Sequence, residues 1–267
     1  MIYLSSFSFS KKEVTNPNIY PYNVVSKNGD KSLVFSSPIT VFYGNNGCGK
    51  STLLNIIANK LEMKGFEYAN SNQFGITPYF LNFIDECEYS LGEYDDGSII
   101  RKLPDSSRYI KSEDILYEIK KIQQEAVLKE GYIYEHVRHG IPRKDANPSK
   151  ADIEKIKFAQ EKYSNGETTM QMLDDYMTMD ALYLLDEPEV SLSPANQVAL
   201  ADKINMMARL LSCQFIISTH SPFMLGTLNA KIYNLDNKDW EEARWSELDN
   251  VRYFYEFFKR HEGAFEK

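Results

Sequence analysis

The stretch Gly44-Asn45-Asn46-Gly47-Cys48-Gly49-Lys50-Ser51-Thr52 decides the fold of this 267-residue chain. It matches the pattern Gly-x-x-x-x-Gly-Lys-Ser, whose glycines let the backbone wrap so that its N–H groups point inward at phosphates. The apolar strand ITVFYG precedes it, and residues 51–63 carry apolar side chains at helical spacing. A strand, a glycine-rich loop and a helix in this order predict a phosphate-binding P-loop.

The loop supplies candidate ligands for a nucleotide. Lys50 would reach the β- and γ-phosphates, and the helix that begins near Ser51 would add the positive end of its dipole. The Ser51 hydroxyl is a group that ligates Mg²⁺ in such sites. We therefore predict ATP and Mg²⁺ as cofactors, residues 44–52 as the ATP-binding segment, Ser51 as a metal ligand and Lys50 as a catalytic candidate.

Two carboxylates follow the buried strand ALYLL at residues 181–185. A P-loop requires an acidic group at such a strand end to hold Mg²⁺ through water, and Asp186 fits this role. Glu187 would then lie near the γ-phosphate and polarise the attacking water. The run Asp186-Glu187-Pro188-Glu189 is otherwise typical of a solvated acidic turn, an interpretation that the P-loop disfavours.

A histidine, His220, follows the next buried strand, CQFIIST at residues 213–219. It would lie at the carboxyl edge of a parallel sheet, where ligands of open α/β sheets bind. A lone histidine at a strand end is more often structural. Its place after the acidic strand nevertheless favours a contact with the γ-phosphate or the attacking water, which makes His220 a third catalytic candidate.

The tetrapeptide Ser164-Asn165-Gly166-Glu167 precedes the helical run TTMQMLDDYM. Locally it is a capping box, with a serine and a glutamate three residues apart at a helix N-terminus. That N-terminus, with a glycine that permits close approach, is also an anion site. The spacing alone leaves open whether this segment contacts ATP.

The remaining chain shows an α/β pattern with an interruption. The stretches IYLSSFSF, NVVSK and SLVFSS predict N-terminal strands. From about residue 64 to 162 we expect a mostly helical insertion, with a strand at SRYI and a helix from near Ser112, in a single domain spanning 1–267. A helix capped by Ser193, a strand at KIYNL and a C-terminal helix around VRYFYEFFKRHE complete the pattern.

Composition excludes several classes. The net charge of −8 and the pI near 5.2 give no support to a broad nucleic-acid surface, although DNA stays open as a partner through a local basic patch. No apolar run approaches the roughly 18 residues of a membrane span, so we expect a cytoplasmic protein without direct membrane insertion. Three scattered cysteines indicate neither disulfides nor zinc.

In this order the motifs resemble those of ATP-binding cassette (ABC) ATPases. More narrowly, they are similar to the soluble, non-transporter branch related to recombination and chromosome-maintenance ATPases. GNNGCGKST resembles the family's Walker A, LYLLDEPE its Walker B with the catalytic glutamate at Glu187, and STHS its switch-histidine segment. YSNGE occupies the signature position, and Ser191–Pro194 resembles the D-loop.

The resemblance implies a P-loop fold of the α/β class. A mostly parallel central sheet would carry an N-terminal antiparallel β-subdomain and a helical arm. It also implies ATP hydrolysis by a homodimer that ATP closes head to tail, with Ser164–Glu167 of one chain completing the site of the other. The cycle would drive a protein partner or a DNA-linked process such as repair or defence.

The chain departs from the family pattern in two places. SNGE replaces the transporter form of the signature, and no clear glutamine loop is present, because Gln73 follows Lys50 too closely. The segment Lys111–Asp114 is the candidate replacement for that loop. An aromatic side chain upstream of the P-loop would stack on adenine, and Tyr20 and Tyr22 are candidates among many aromatic residues.

Two functions other than that of a non-transporter ATPase also use a P-loop. The alternative is the ATP-binding subunit of a membrane transporter, which the departures in the signature and the glutamine loop weaken. A small-molecule kinase is disfavoured because it does not need a water-activating glutamate such as Glu187.

Overall fold

The computed structural model describes residues 1–25, 32–119 and 165–266, except positions 13, 15, 17, 68, 69, 72–74, 77, 95, 118, 238 and 239. The strands are β1 (Leu4–Ser8), β2 (Ser32–Val34), β3 (Ile39–Tyr43), β4 (Asn70–Ser71), β5 (Gly75–Ile76), β6 (Glu88–Leu91), β7 (Arg108–Lys111), β8 (Leu182–Asp186), β9 (Gln214–Ser218) and β10 (Lys231–Asn234). The α-helices with named bounds are α1 (Tyr22–Val25), α2 (Lys50–Lys60), α3 (Pro78–Glu86), α4 (Asn165–Tyr176), α5 (Pro194–Leu210), α6 (Pro222–Thr227) and α7 (Asp249–Arg260).

The central sheet has five parallel strands in the order β10-β3-β9-β8-β7. Its register aligns Asp186 of β8 with Lys111 of β7 on one side and with Ser218 of β9 on the other. Parallel strands end at the same edge of a sheet, so the segments that follow β3, β7, β8 and β9 meet there. This edge positions the candidate site.

The central sheet is covered on both faces, which explains its continuous apolar strands. In β8, Leu182 and Leu184 belong to a core shared with α2, α3 and the N-terminal strands. Tyr183 and Leu185 face the opposite core, which is formed with α4 to α7. The resulting layers agree with the predicted α/β class.

A smaller antiparallel sheet, in the order β2-β1-β6, lies beside the central one. Buried Gln214 joins the two sheets: its Oε1 accepts from the backbone N–H groups of Tyr3 and Leu4 at 2.7 and 2.8 Å. Its Nε2 donates to the Leu4 carbonyl oxygen at 2.9 Å. The predicted fold class, with a mostly parallel sheet and an N-terminal antiparallel β-subdomain, is confirmed.

The structure differs from the sequence prediction in two segments. NVVSK was predicted as a strand, but its first residues complete the four-residue helix α1, because Tyr22 and Val25 pack into the core on one face. Residues 64–111 are not mostly helical either, since β6 joins the N-terminal sheet and β7 the central sheet. Residues 112–117 are helical, as expected. Most of the remaining predicted insertion, from 120 onward, lies outside the described residues.

Among the described residues, no helix has both the length and the apolar character needed to cross a membrane.

Candidate nucleotide site

The P-loop connects β3 to α2 and depends on glycine at its last turn. Gly49 caps α2 in a left-handed conformation, with φ of 104°. A Cβ at this position would lie 2.4 Å from Cγ1 of Val24 in α1. Position 49 therefore requires glycine both for its backbone angle and for its close approach to α1.

Lys50 is buried and folded over its own loop. Its Nζ donates to the carbonyl oxygens of Gly44 at 2.9 Å and Asn45 at 3.3 Å. The same nitrogen lies 3.8 Å from Oε1 of Glu187. The ammonium group is thus held between the loop and the acidic strand end, where the phosphates of a nucleotide are expected.

A carboxylate that the sequence analysis missed holds the start of the P-loop. Asp236, just beyond β10, accepts from the backbone N–H of Asn45 at 2.9 and 3.0 Å. It also accepts from Nδ2 of Asn45 at 2.9 Å. No local pattern signals this contact, because the two residues are 191 positions apart.

The predicted metal ligands lie side by side. Ser51 Oγ donates to Oδ1 of Asp186 at 3.1 Å, and Ser218 Oγ donates to the same oxygen. The Tyr109 hydroxyl donates to Oδ2 at 3.2 Å. Burial, followed by the negative charge of Asp186, raises the pKa of Tyr109 well above its usual range, so this hydroxyl stays a donor.

These oxygens fit Mg²⁺. The described residues contain no cluster of three or more His, Cys, Asp or Glu side chains that would enclose a metal ion. Mg²⁺ does not need such a cluster, since it is usually bound through one or two protein oxygens, with phosphates and water completing an octahedron. Ser51 and Asp186 are the residues that would hold it.

The chain turns sharply after β8. Glu187 has a φ of 47°, and its N–H donates to the carbonyl oxygen and Oγ of Ser218 at 3.0 and 3.1 Å. Ser112 Oγ donates to the carbonyl oxygens of Asp186, at 3.2 Å, and of Glu187. These bonds, from the end of β9 and from the residue after β7, fix where the Glu187 side chain begins.

Three side chains meet at the open end of this turn. His220 Nδ1 lies 3.6 Å from Oε1 of Glu187 and 3.9 Å from Oε1 of Glu189. The side chains of Glu187 and His220 are 32% and 44% exposed, whereas that of Glu189 is only 7% exposed. Lys50 Nζ approaches the same Oε1 of Glu187, so the three predicted catalytic candidates, Lys50, Glu187 and His220, are brought together.

A cleft of about 520 Å³ runs along this edge. Its lining residues come from the P-loop helix, the acidic turn and the segments around β7: Tyr20, Ser51, Thr52, Asn55, Glu67, Tyr109, Lys111, Ser112, Glu113, Leu116, Asp186, Glu187 and Val190. The candidate replacement for the glutamine loop, Lys111–Asp114, contributes three of these residues. The structure therefore places this segment beside the cleft, and its role in place of a glutamine loop stays a prediction.

The two aromatic candidates for adenine stacking differ in burial. Tyr22 is 2% exposed; it packs edge-on against Phe83 and donates to Glu86 at 2.9 Å. Tyr20 is 39% exposed, lies at the cleft beside Thr52 and stacks on Phe80 with ring centroids 6.0 Å apart. Of the two, only Tyr20 has a ring within reach of a ligand in the cleft.

The predicted signature segment is only partly described. Ser164 lies outside the described residues, and Asn165–Glu167 form the first turn of α4. None of the described residues that line the cleft belongs to α4. In the D-loop candidate, Ser193 caps α5 by accepting from the N–H of Asn196 at 3.3 Å, as its sequence predicts.

Solved structures with low sequence identity resemble this chain distantly. The SMC head domain from Thermotoga maritima has a TM-score of 0.40 and 14% identity, over 89% of this chain and 97% of that chain. A dimeric ATP-binding cassette in a post-hydrolysis state, bound to ADP and Pi, has a TM-score of 0.44 and 13% identity, over 92% of this chain and 99% of that chain. An SMC head bound to the C-winged helix domain of ScpA has a TM-score of 0.45 and 15% identity, over 90% of this chain and 96% of that chain.

Models of protein families assign the chain more specifically than these structures do. A search of curated proteins finds no match. A model described as an AAA domain matches residues 18–181, more than half of the chain, and one described as an AAA ATPase domain matches residues 168–225. The chain therefore belongs to the AAA domain family and is an ATP-binding protein with a P-loop ATPase fold.

Proposed function

We propose that this protein hydrolyses ATP to ADP and phosphate, and that an ATP-dependent head-to-tail homodimer is its active form. The observation that carries the proposal is the meeting of Lys50, Glu187 and His220. Lys50 Nζ and His220 Nδ1 lie 3.8 and 3.6 Å from the same oxygen of Glu187. A positive group, a carboxylate and an imidazole at one edge of the sheet can bind the phosphates, accept a proton from water and hydrogen-bond the reacting groups, which suits phosphoryl transfer to water.

Each residue has a distinct part in this reaction. The P-loop N–H groups and Lys50 bind and orient the β- and γ-phosphates, and Glu187 accepts a proton from the attacking water. His220 hydrogen-bonds the γ-phosphate or that water. Ser51 and Asp186 would hold Mg²⁺, which when bound would supply neutralisation of the charge that develops on the phosphates.

The dimer proposal rests on the open side of the cleft. Glu187 and His220 are both substantially exposed, so a γ-phosphate beside them would face bulk water. Hydrolytic sites work better when solvent is excluded, because electrostatic interactions are then stronger. A second chain that contributes Ser164–Glu167 at a helix N-terminus would close this side and add anion-binding N–H groups.

The ATPase proposal is tested by steady-state phosphate release. Lys50→Ala should abolish hydrolysis, because the phosphates lose their cationic partner. The matched control is Lys60→Ala, at the other end of α2, where Nζ donates to the Asp85 carbonyl oxygen at 3.1 Å. Equal rates for wild type and Lys50→Ala would contradict the proposal.

The dimer is tested by light scattering of Glu187→Gln, which should retain uncleaved ATP. With ATP and Mg²⁺ the variant should have the mass of a dimer, and without nucleotide that of a monomer. Adding Gly166→Arg places a bulky side chain in the signature segment and should restore the monomer. A Glu187→Gln protein that stays monomeric with ATP and Mg²⁺ would overturn the dimer mechanism.

We further propose that the cycle drives a protein partner or a DNA-linked process, such as repair or defence, in the cytoplasm. The net charge of −8 favours a protein partner over an extended DNA surface. Phosphate release measured with and without duplex DNA, at low and high salt, separates the two. Stimulation by DNA that disappears at high salt would support the DNA-linked alternative.

A further inference from the structure

Glu189 is a buried carboxylate to which the proposed reaction gives no part. It lies two residues after Glu187, with a side chain only 7% exposed. Burial raises its pKa, although hydrogen bonds from Thr219 and His220 act in the opposite direction. A carboxylate in such surroundings needs hydrogen-bond donors or a positive partner to remain charged.

One of its oxygens is satisfied by the segment that carries the histidine. Glu189 Oε1 accepts from Oγ1 of Thr219 at 2.6 Å and from the backbone N–H of His220 at 3.2 Å. On the other side, Asn250 Nδ2 donates to the His220 carbonyl oxygen at 2.7 Å. The backbone of His220 is therefore fixed from both directions.

Two other polar atoms of this cluster, one on Glu189 and one on the His220 ring, lack hydrogen-bond partners among the described residues. Within the described part of the chain, Glu189 Oε2 and His220 Nδ1 are both buried and have no hydrogen-bond partner. Nδ1 lies 3.9 Å from Oε1 of the same carboxylate. Because Oε1 already accepts two hydrogen bonds, a small rotation that turns the unpartnered Oε2 toward Nδ1 would join the two groups. Because the ring is 44% exposed while Nδ1 is enclosed, its open edge lies away from Nδ1.

We propose that Glu189 is a positioning residue that binds Nδ1–H of His220 and so presents Nε2 of the ring to the reacting phosphate and water. This inference rests on the proposed ATPase function. A histidine ring with one nitrogen held by a carboxylate has a fixed tautomer and orientation. Glu187, the nearer carboxylate to Nδ1, is then left free to accept the proton of the water.

The proposal makes a direct prediction for the protonation of the ring. In ¹⁵N spectra of histidine-labelled protein, Nδ1 of His220 should carry a proton in the wild type. The chain has four histidines, and His220→Ala identifies the signal. An unprotonated Nδ1 in the wild type would overturn the proposal without any variant of Glu189.

Glu189→Gln tests which carboxylate holds the ring. Its amide oxygen still accepts from Thr219 and His220, but an NH₂ group replaces Oε2 and can only donate. Nδ1 should then become an acceptor, and the proton should move to Nε2. Glu187→Gln should leave Nδ1 protonated, and the opposite pattern, or no change in Glu189→Gln, would overturn the proposal.

Turnover provides a second readout. Glu189→Gln should lower kcat by about 10–100-fold, as loss of an orienting partner does, with little change in KM for ATP. In a His220→Ala background it should have no further effect on kcat, because it acts through His220. A further decrease there would contradict the positioning role.

A suitable control is Glu86→Gln in α3. Glu86 also accepts side-chain hydrogen bonds, from Ser10, Lys12 and Tyr22 at 2.5, 3.0 and 2.9 Å, but it does not line the cleft. The Glu86→Gln variant should leave the His220 signal and kcat unchanged.

A wild-type protein without ATPase activity would contradict the proposed function, whereas the ring protonation would still decide the role of Glu189.

Discussion

The two sides of the cleft are built differently. On the P-loop side, contacts run to the backbone: Lys50 donates to loop carbonyl oxygens, and Asp236 accepts from the Asn45 N–H. On the opposite side, after β8 and β9, contacts between side chains, as of Ser218 with Asp186 and Thr219 with Glu189, add to the bonds that hold the backbone. The proposed reaction therefore assigns phosphate binding to loop shape on one side and the chemistry to individual carboxylates on the other.

This difference separates the expected effects of mutation. Changes on the P-loop side should weaken ATP binding, whereas changes after β8 and β9 should lower turnover and leave binding largely intact.

Glu187→Gln should have the largest effect on turnover. It removes the proposed base, for which a loss of about 10³-fold in kcat is typical of general-base catalysis. The affinity for ATP, measured by calorimetry, should stay within about threefold of the wild type if binding resides on the other side. Hydrolysis at the wild-type rate would contradict the role of Glu187 as base.

Gly49→Ala should have a large effect on binding instead. Its positive φ costs a non-glycine residue about 1–3 kcal/mol, and the new Cβ would meet Val24 Cγ1 at 2.4 Å. We expect ATP affinity to fall by roughly 100-fold, since the strain alone approaches that size. Adding Val24→Ala should recover part of the loss, and an unchanged Kd for Gly49→Ala would contradict the importance of loop shape.

Tyr20→Ala should weaken ATP binding by about tenfold, which is the scale of one base–aromatic stack. It should not alter the binding of inorganic tripolyphosphate, because that ligand has no base. The control is Tyr22→Phe, which loses a hydrogen bond to Glu86 outside the cleft. Equal loss of affinity for both ligands would contradict a contact between Tyr20 and adenine.

Asp236→Ala should have the smallest effect. Losing the bonds to Asn45 loosens the start of the P-loop and should raise the Kd for ATP by about threefold, in the range of a single exposed hydrogen bond. Asp236→Asn keeps one acceptor and should lie closer to the wild type. Tighter binding in both variants would mean that the carboxylate acts mainly by repelling phosphates.

The sequence predicted the elements of the site whose signals are local. The P-loop, the acidic strand end, the helix cap at Ser193 and the strand before His220 each lie within a few consecutive residues. Because parallel strands end at one edge of a sheet, the meeting of the P-loop, the acidic strand end and His220 at that edge followed from the α/β pattern.

What the sequence did not predict depends on distant contacts. Strand β6 pairs with β1 eighty or more positions away, and the stretch Glu88–Leu91 has only four residues, which are largely exposed. Asp236 reaches Asn45 across the fold. Glu189 looked like part of a solvated acidic turn, and only its burial against Thr219 distinguishes it from Glu187.

The most direct test of the central claim is the nucleotide that Glu187→Gln retains. The variant would be incubated with Mg²⁺ and ATP, separated from free nucleotide, denatured and analysed by chromatography. The account predicts uncleaved ATP, in a stoichiometry near one per chain, because binding and hydrolysis depend on opposite sides of the cleft. Retention of ADP, or of no nucleotide, would contradict it.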